Sequence, residues 1–178
     1  MRACRGWDRT GVVGSPTTRR ITSVFNKRLL KWLCPCSTRP PLAEPVEVTG
    51  PIEMKLWASS SARDTDFVVK LLDVWSDGFV QELCHGIVRA RYRHSFDAPS
   101  LLEPGGIYEY TIRVNPTSNQ FQPGHRIRLD VTSSDFPNFD RNHNTGGDDY
   151  REDTLVAARQ RIFHDRDRPS HVILPVIP

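Results

Sequence analysis

The sequence lacks most of the motifs that mark a catalytic protein. It contains no G-x-S-x-G, and its paired serines, such as Ser133 and Ser134, have no flanking glycines to form a nucleophile turn. Its six histidines include no H-x-H or H-x-x-x-H pair, although a site assembled from separate strands stays open. No uncharged apolar run is long enough for a transmembrane helix, so we predict no membrane partner.

Cysteine is also scarce. Three of the four cysteines lie within the first 40 residues (Cys4, Cys34, Cys36), and only Cys84 lies beyond them. A single cysteine cannot form an internal disulfide, so we predict a disulfide-free body. The lone Cys34-Pro-Cys36 has no second pair to complete a zinc site, and we predict neither a metal nor another cofactor.

Acidic residues are almost absent from the start of the chain. Residues 1–40 hold nine Lys or Arg and one acid, whereas residues 41–178 hold 15 Lys or Arg and 20 acids. We therefore expect residues 1–40 to be a basic irregular leader, disordered or non-native, and residues 41–178 to form the domain. The acidic body argues against nucleic acid as a partner. The leader has no apolar signal-peptide core, which favours the cytoplasm.

The body has the pattern of short β-strands. Apolar and polar residues alternate from Ile52 to Ser59, from Tyr108 to Val114 and from Arg126 to Thr132. Residues 67–74 are more continuously apolar, as in a strand covered on both faces. Asp77-Gly78 predicts a hairpin turn, residues 154–164 fit a strand or a short helix, and residues 171–177 form a closing strand. Six or seven strands predict an all-β antiparallel sandwich.

The polar stretch from Phe136 to Asp149 is the main candidate loop. Asp140 to Asn144 places oxygen ligands at alternate positions, but Thr145 and Arg151 stand where a calcium loop needs glycine and glutamate. Asp and Asn side chains that satisfy loop backbone groups are the better interpretation. A sugar-stacking platform of aromatics is a further alternative, weaker than a core role; its members would be Trp57, Trp75, Tyr92, Phe136 and Phe139.

The body resembles one known family in several blocks of sequence. These blocks are Gly50 to Ile52, Ser60 to Phe67, Lys70 to Val74, Asp77-Gly78, Gly86 to Arg93, Gly124 to Leu129, Ser133 to Asn142 and Asn144 to Gly146. Their order and spacing are similar to the C-terminal domain of the cocaine esterase and X-Pro dipeptidyl-peptidase (CocE/NonD) serine hydrolases. The resemblance implies a jelly-roll, galactose-binding-like sandwich, here without its first strands.

The resemblance also implies a non-catalytic role. Family members carry their Ser-Asp-His triad on a separate α/β-hydrolase domain, which the jelly roll buttresses, and they hydrolyse acyl esters, amino-acid esters or X-Pro peptides. No triad residue has a counterpart in this sequence. The chain is therefore interpreted as the accessory domain of such a hydrolase, with the α/β-hydrolase domain as its partner in cis or in trans.

We expect a structural or domain-interface motif in and near the polar loop. Its residues are His125, Arg126, Asp135, Phe136, Asp140, Arg141, Asn142 and Asn144. Because a sandwich without its first strands leaves sheet edges open, self-association through those edges is also expected. The alternative function is a free-standing β-sandwich module that binds carbohydrate or protein.

Overall fold

The computed structural model describes residues 29–33 and 37–178, and within these ranges the chain forms strands and one short 3-10 turn. The strands are β1 (Leu29–Leu33), β2 (Ser37–Thr38), β3 (Val46–Ser60), β4 (Asp66–Val74), β5 (Val80–Arg89), β6 (Ile107–Phe121), β7 (Arg126–Thr132), β8 (Gln160–Phe163) and β9 (His171–Ile177); the 3-10 turn is Ala90–Tyr92.

The strands form two antiparallel sheets. One sheet has the order β1-β9-β3-β6, with β8 also paired to β3, and the other has the order β2-β7-β4-β5. The predicted all-β antiparallel sandwich is confirmed, whereas the galactose-binding-like subtype stays a prediction. Among the described residues, no helix has the length and apolarity that crossing a bilayer requires.

The core lies between the sheets, where the alternating residues of the facing strands meet. Met54 and Leu56 of β3 are fully buried, and so are Val69 and Leu71 of β4. Since side chains alternate across a strand, every second residue of β3 reaches this layer. Complete burial of each such side chain stabilises the fold by about 1.5–3 kcal/mol relative to exposure.

The outer face of β4 is buried as well, as its continuous apolar sequence predicted. Val68 is on the face opposite the core and is fully buried. On the same face, Lys70 forms a salt bridge with Asp135, and the ring of His85 contacts that of Phe139 at 5.7 Å. Residues 133–159 thus fold over this sheet and create a second, smaller layer.

The two sheets approach each other closely at Gly86 of β5. A Cβ at this position would overlap the carbonyl oxygen of Arg113 and lie 2.8 Å from the Cα of Val114, both in β6. Only glycine lets the two backbones come this near. Gly86 therefore determines how the sandwich closes along its β5–β6 side.

The local predictions along the body agree with the structure at most positions. Asp77-Gly78 forms the β4–β5 turn, in which the amide of Trp75 donates to the carbonyl of Phe79 at 2.8 Å. The ambiguous stretch 154–164 contains β8, and β9 occupies the predicted closing strand.

Two strands lie inside the segment expected to be irregular. β1 pairs with β9, and β2 pairs with β7, so both extend the sheets at one side. Residues 1–28 and 34–36 of the leader lie outside the described ranges, and Cys4, Cys34 and Cys36 are among them. The boundary at residue 40 stays a prediction.

The sandwich has two distinct ends. We call the end that carries the β4–β5 turn (residues 75–79) and the β6–β7 turn (residues 122–125) the hairpin end. The opposite end carries residues 61–65, 90–106 and 133–159, and we call it the loop end. Buried polar side chains such as those of Asp64, Asp66 and Asn142 lie at the loop end.

Candidate functional site

A buried group of charged and amide side chains joins the strands to the long loop at the loop end. Its members are Asp64, Asp66, Arg89, Arg91, Asn142 and Asp149, which we call the aspartate–arginine cluster. Asp64 and Asp66 lie where β4 begins and are 0% and 2% exposed. Charged groups this deeply buried persist in proteins only when they are paired and hydrogen-bonded.

Arg89 is the centre of one half of the cluster. Its Nε and one terminal nitrogen donate to the two oxygens of Asp66 at 2.9 and 3.1 Å. Its other terminal nitrogen donates to Asp149 at 2.7 Å. Burial opposes the positive charge, but the hydrogen bond and the charge of Asp66, together with Asp149, raise the pKa of Arg89. The guanidinium therefore stays charged and ties β4 to the loop.

Arg91 and Asp64 form the other half. The backbone amide of Arg91 donates to one oxygen of Asp64 at 2.8 Å, and its Nε donates to the other at 2.6 Å. A terminal nitrogen of Arg91 also donates to the carbonyl of Gly147 at 2.9 Å. This pair fixes the 3-10 turn after β5 and holds the loop at a second point.

Asn142 connects the two halves. Its side-chain amide donates to Asp64 at 2.9 Å and to Asp66 at 2.8 Å, and the residue is only 8% exposed. Its side-chain oxygen accepts a hydrogen bond from the backbone amide of Asn144 at 2.8 Å. An amide can donate both protons to two carboxylates, whereas an aspartate at this position would add a third negative charge.

The loop around Asn142 is held by its own hydrogen bonds. Asn144 has a φ of 64°, a left-handed conformation that asparagine tolerates better than most residues. Its side-chain amide donates to the carbonyl of Val156 at 2.8 Å. The amide of His143 donates to Asp149 at 3.0 Å. The Asp and Asn side chains of this stretch thus satisfy backbone groups, as the sequence suggested.

Next to the cluster is an open cleft of about 300 Å³. Its charged members are Asp66, Arg89, Asp140 and Asp149, and the others are Ile87, Val88, Tyr92, Phe96, Phe139 and Tyr150. The hydroxyl of Tyr150 donates to Asp140 at 3.0 Å. The side chains of Phe96 and Tyr150 are 83% and 85% exposed, an uncommon degree of exposure for aromatic residues.

Six of the eight residues predicted as the motif lie on this loop. Asp135 pairs with Lys70 on the sheet, and this pairing lowers the pKa of its carboxyl against the effect of burial. The guanidinium of Arg141 lies over the ring of Phe136, 4.6 Å from its centre. Asp140, Asn142 and Asn144 make the contacts described above.

The other two predicted residues lie elsewhere. His125 is at the hairpin end, where its ring stacks on Trp75 at 5.3 Å and its Nδ1 lies 3.0 Å from both oxygens of Asp73. Arg126 is exposed at the start of β7. The structure therefore does not join His125 and Arg126 to the loop, and the interface role of the eight residues stays a prediction.

The structure brings together only part of the aromatic set considered as a stacking platform: Tyr92 and Phe139 both line the cleft at the loop end. Trp75 is at the hairpin end, whereas Phe136 and Phe139 are in the long loop. Trp57 is on the outer face of β3, opposite Phe163 of β8. These rings do not form one surface.

The prediction missed the acidic and basic residues that hold the loop. Asp64 and Asp66 are spaced two apart before and at the start of β4, and Arg89 and Arg91 have the same spacing at the end of β5. The hairpin pairs Asp66 with Arg89 directly. The matched spacing of two acids and two arginines across a predicted hairpin could have revealed the cluster.

The aspartate–arginine cluster is better suited to holding the loop in place than to catalysis. Each of the three nitrogens of Arg89 donates to a carboxylate, and Asp66 accepts from both Arg89 and Asn142. Within residues 29–33 and 37–178, no group of three or more His, Cys, Asp or Glu is placed to hold a metal ion. Cys84 is buried, and burial raises the pKa of its thiol to about 11, so it is a poor nucleophile.

Comparison with known sequences identifies a family over most of the chain. Residues 35–173 match the X-Pro dipeptidyl-peptidase C-terminal non-catalytic domain. The chain is 50% identical over 144 residues to the cocaine esterase of Rhodococcus sp. strain MB1 Bresler, covering 80% of this chain and 25% of that protein. It is 32% identical over 160 residues to a putative serine esterase of Mycobacterium bovis, covering 79% and 23%. The chain thus spans about a quarter of the length of these relatives.

Solved structures support the same relationship. An α-amino acid ester hydrolase matches with a TM-score of 0.76 and 31% identity, over 85% of this chain and 26% of that one. An aminopeptidase from a marine-sediment Thaumarchaeota archaeon matches with a TM-score of 0.73 and 33% identity, over 87% and 27%. Together with the family match, these likenesses show that the chain belongs to the family of non-catalytic C-terminal β domains of CocE/NonD-type hydrolases.

Proposed function

We propose that this chain supports the α/β-hydrolase domain of a CocE/NonD-type enzyme, in cis or in trans, and contacts it through the loop end. The parent enzyme would hydrolyse an acyl ester, an amino-acid ester or an X-Pro peptide, and its own domain would supply the triad. In this proposal residues 41–178 form the supporting domain, and β1 and β2 of the preceding segment add to it by pairing with β9 and β7.

The observation that carries the proposal is the buried aspartate–arginine cluster. Burying five charged side chains wholly or in part is costly, and a sandwich could close its end with apolar residues at lower cost. The cluster instead holds the loop at Asn142, Gly147 and Asp149. A loop held at three points presents a defined surface, and a preorganised surface binds with a smaller loss of conformational entropy.

The surface that the loop presents has the composition of an interface. Phe96, Phe136, Tyr150 and Leu155 are at least 57% exposed, and all four lie in the segments of the loop end. Aromatic residues are enriched in the centres of protein interfaces, where they contribute much of the binding energy. The predicted motif residues Asp140 and Arg141 lie among them.

A chimeric enzyme tests the proposal. Residues 35–178 would replace the matched 144-residue region of the Rhodococcus cocaine esterase. We expect a folded chimera that hydrolyses an aromatic ester with kcat/KM within about tenfold of the parent enzyme. The matched control replaces the same region with a flexible linker and should lose thermal stability. A chimera no more stable than the linker control would contradict the proposal.

Self-association through sheet edges is a separate proposal. β1, β5 and β6 each pair on one side only within the described sheets. Unpaired strand edges favour association unless another chain covers them. Analytical ultracentrifugation of the full chain from 1 to 100 µM tests this proposal. We expect a dimer whose fraction rises with concentration, and a monomer throughout that range would contradict the proposal.

A further inference from the structure

The cleft at the loop end has an excess of negative charge. Asp66 and Asp149 share the single guanidinium of Arg89, which leaves one negative charge between them. Asp140 receives a hydrogen bond from the neutral hydroxyl of Tyr150. No salt bridge among residues 37–178 includes Asp140. The lining therefore carries a net charge of −2, and one of its carboxylates is exposed and lacks a cationic partner.

The aromatic walls suit a cation as well. The rings of Tyr92 and Phe96 stack on each other at 5.4 Å, and Phe139 and Tyr150 complete the lining. A cation near the face of an aromatic ring gains about 0.5–2 kcal/mol, more as water is excluded. The cleft thus combines a carboxylate with ring faces, as sites for ammonium and guanidinium groups do.

The exposed rings extend beyond the cleft itself. Phe136 is 57% exposed and lines the adjoining cleft with Asp140 and Arg141. A small free cation would fill the first cleft and leave Phe136 and the outer parts of Phe96 and Tyr150 in water. A protein surface that inserts one basic side chain would cover all of them.

We propose that the cleft receives a lysine or arginine side chain from the hydrolase domain, and that this contact anchors the loop end to it. The inference rests on the proposed function. About three quarters of each curated relative lies outside the region that this chain matches, which is ample sequence to supply the partner surface. The basic side chain would lie between the rings of Phe96 and Tyr150 and pair with Asp140.

Charge reversal at Asp140 tests the inference in the chimera described above. Asp140→Lys should lower the melting temperature of the chimera by at least 5 °C, whereas in the full 178-residue chain it should change it by less than 2 °C. The small effect in the chain alone follows because Asp140 is exposed and makes one hydrogen bond there. Asp167→Lys, at an exposed acid between β8 and β9, is the matched control and should affect neither protein.

A pair of phenylalanines provides a second comparison. Phe96→Ala removes an exposed ring of the cleft, and Phe79→Ala removes a ring that is 56% exposed at the hairpin end. We expect the first to speed thermal inactivation of the chimera at least fivefold and the second to change it less than twofold. Equal effects from the two variants would overturn the inference.

The outcomes separate the inference from the proposed function. If the unmodified chimera is stable and active but Asp140→Lys behaves like Asp167→Lys, the docking contact is refuted and the supporting role stands. If the unmodified chimera does not assemble, both are refuted. A rise of more than 2 °C in the melting temperature of the full chain with 10 mM argininamide, absent in Asp140→Lys, would support the inference, because it would show that the open cleft accepts a guanidinium group.

Discussion

Replacement of Asn142 tests the assembly of the loop end most sharply. Its side-chain amide makes two hydrogen bonds to buried carboxylates, and Asn142→Ala removes both. A hydrogen bond to a charged group contributes about 1.5–3 kcal/mol. Asp64 and Asp66 keep their arginine partners, so we expect the lower end of that range for each bond. The free energy of unfolding should therefore fall by about 3 kcal/mol.

The assay is urea unfolding of the full chain, followed by circular dichroism and tryptophan fluorescence together. In a protein of this size, 1 kcal/mol corresponds to about 2–4 °C in melting temperature, so the loss predicted for Asn142→Ala is about 6–12 °C. The matched control is Asn138→Ala, because the amide of Asn138 also donates to a carboxylate, that of Asp135, at 3.1 Å but at an exposed position. We expect the control to lose less than about 1 kcal/mol.

Asn142→Asp distinguishes charge from shape, since it keeps the size of the side chain. The introduced carboxyl would face Asp64 and Asp66, and these like charges would raise its pKa in the folded state. Its penalty is therefore largest at neutral pH, shrinks as pH falls through that raised value, and is smallest below its ordinary value near 4. A loss below 0.5 kcal/mol for Asn142→Ala, or a pH-independent effect of Asn142→Asp, would refute the reasoning.

Three further predictions concern the sheets, each measured by unfolding of the full chain. Ser170→Ala should cost about 1–3 kcal/mol, because the fully buried Ser170 hydroxyl accepts from the amide of Trp57 at 2.8 Å and no other group replaces it; an unchanged stability would contradict this. Gly86→Ala should cost about 3 kcal/mol, because its Cβ would overlap the backbone of Arg113; a neutral variant would show that β5 and β6 can separate. Asp135→Asn should cost about 1 kcal/mol at neutral pH. The pKa of Asp135 is lowered in the fold, so this difference is present above about pH 4 and disappears as pH falls below it; a difference that grows in acid would contradict the assignment.

Most of the strand pattern could be predicted from local sequence, because alternation and turn residues act over short distances. Residues 126–132 and 171–177 are strands where the pattern placed them, and Asp77-Gly78 is a turn. The continuous apolar run of β4 also predicted a strand covered on both faces, as the burial of Val68 shows. The apolar sequence of β4 does not indicate, however, that the polar loop is the segment that covers its outer face.

The candidate site was predicted only in part, because its contacts join distant residues. Asn142 and Asp64 are 78 positions apart in the sequence, and neither residue indicates the other by itself. The prediction groups His125 with the loop residues because it is polar and close to them in sequence, but its ring lies at the opposite end of the sandwich. The strand β1 lies in a basic segment without alternating apolar residues. It forms by pairing with β9, and such a long-range pairing cannot be predicted from the local sequence.

Hydrogen exchange of the chimera and of the full chain tests the central claim most directly. The claim is that the loop end is the face that meets the hydrolase domain. We predict slower backbone exchange in the chimera for peptides covering residues 90–100 and 136–152, with little change at residues 74–80 of the hairpin end. Slower exchange at residues 74–80, with the loop end unchanged, would contradict the account and assign the interface to the opposite end of the sandwich.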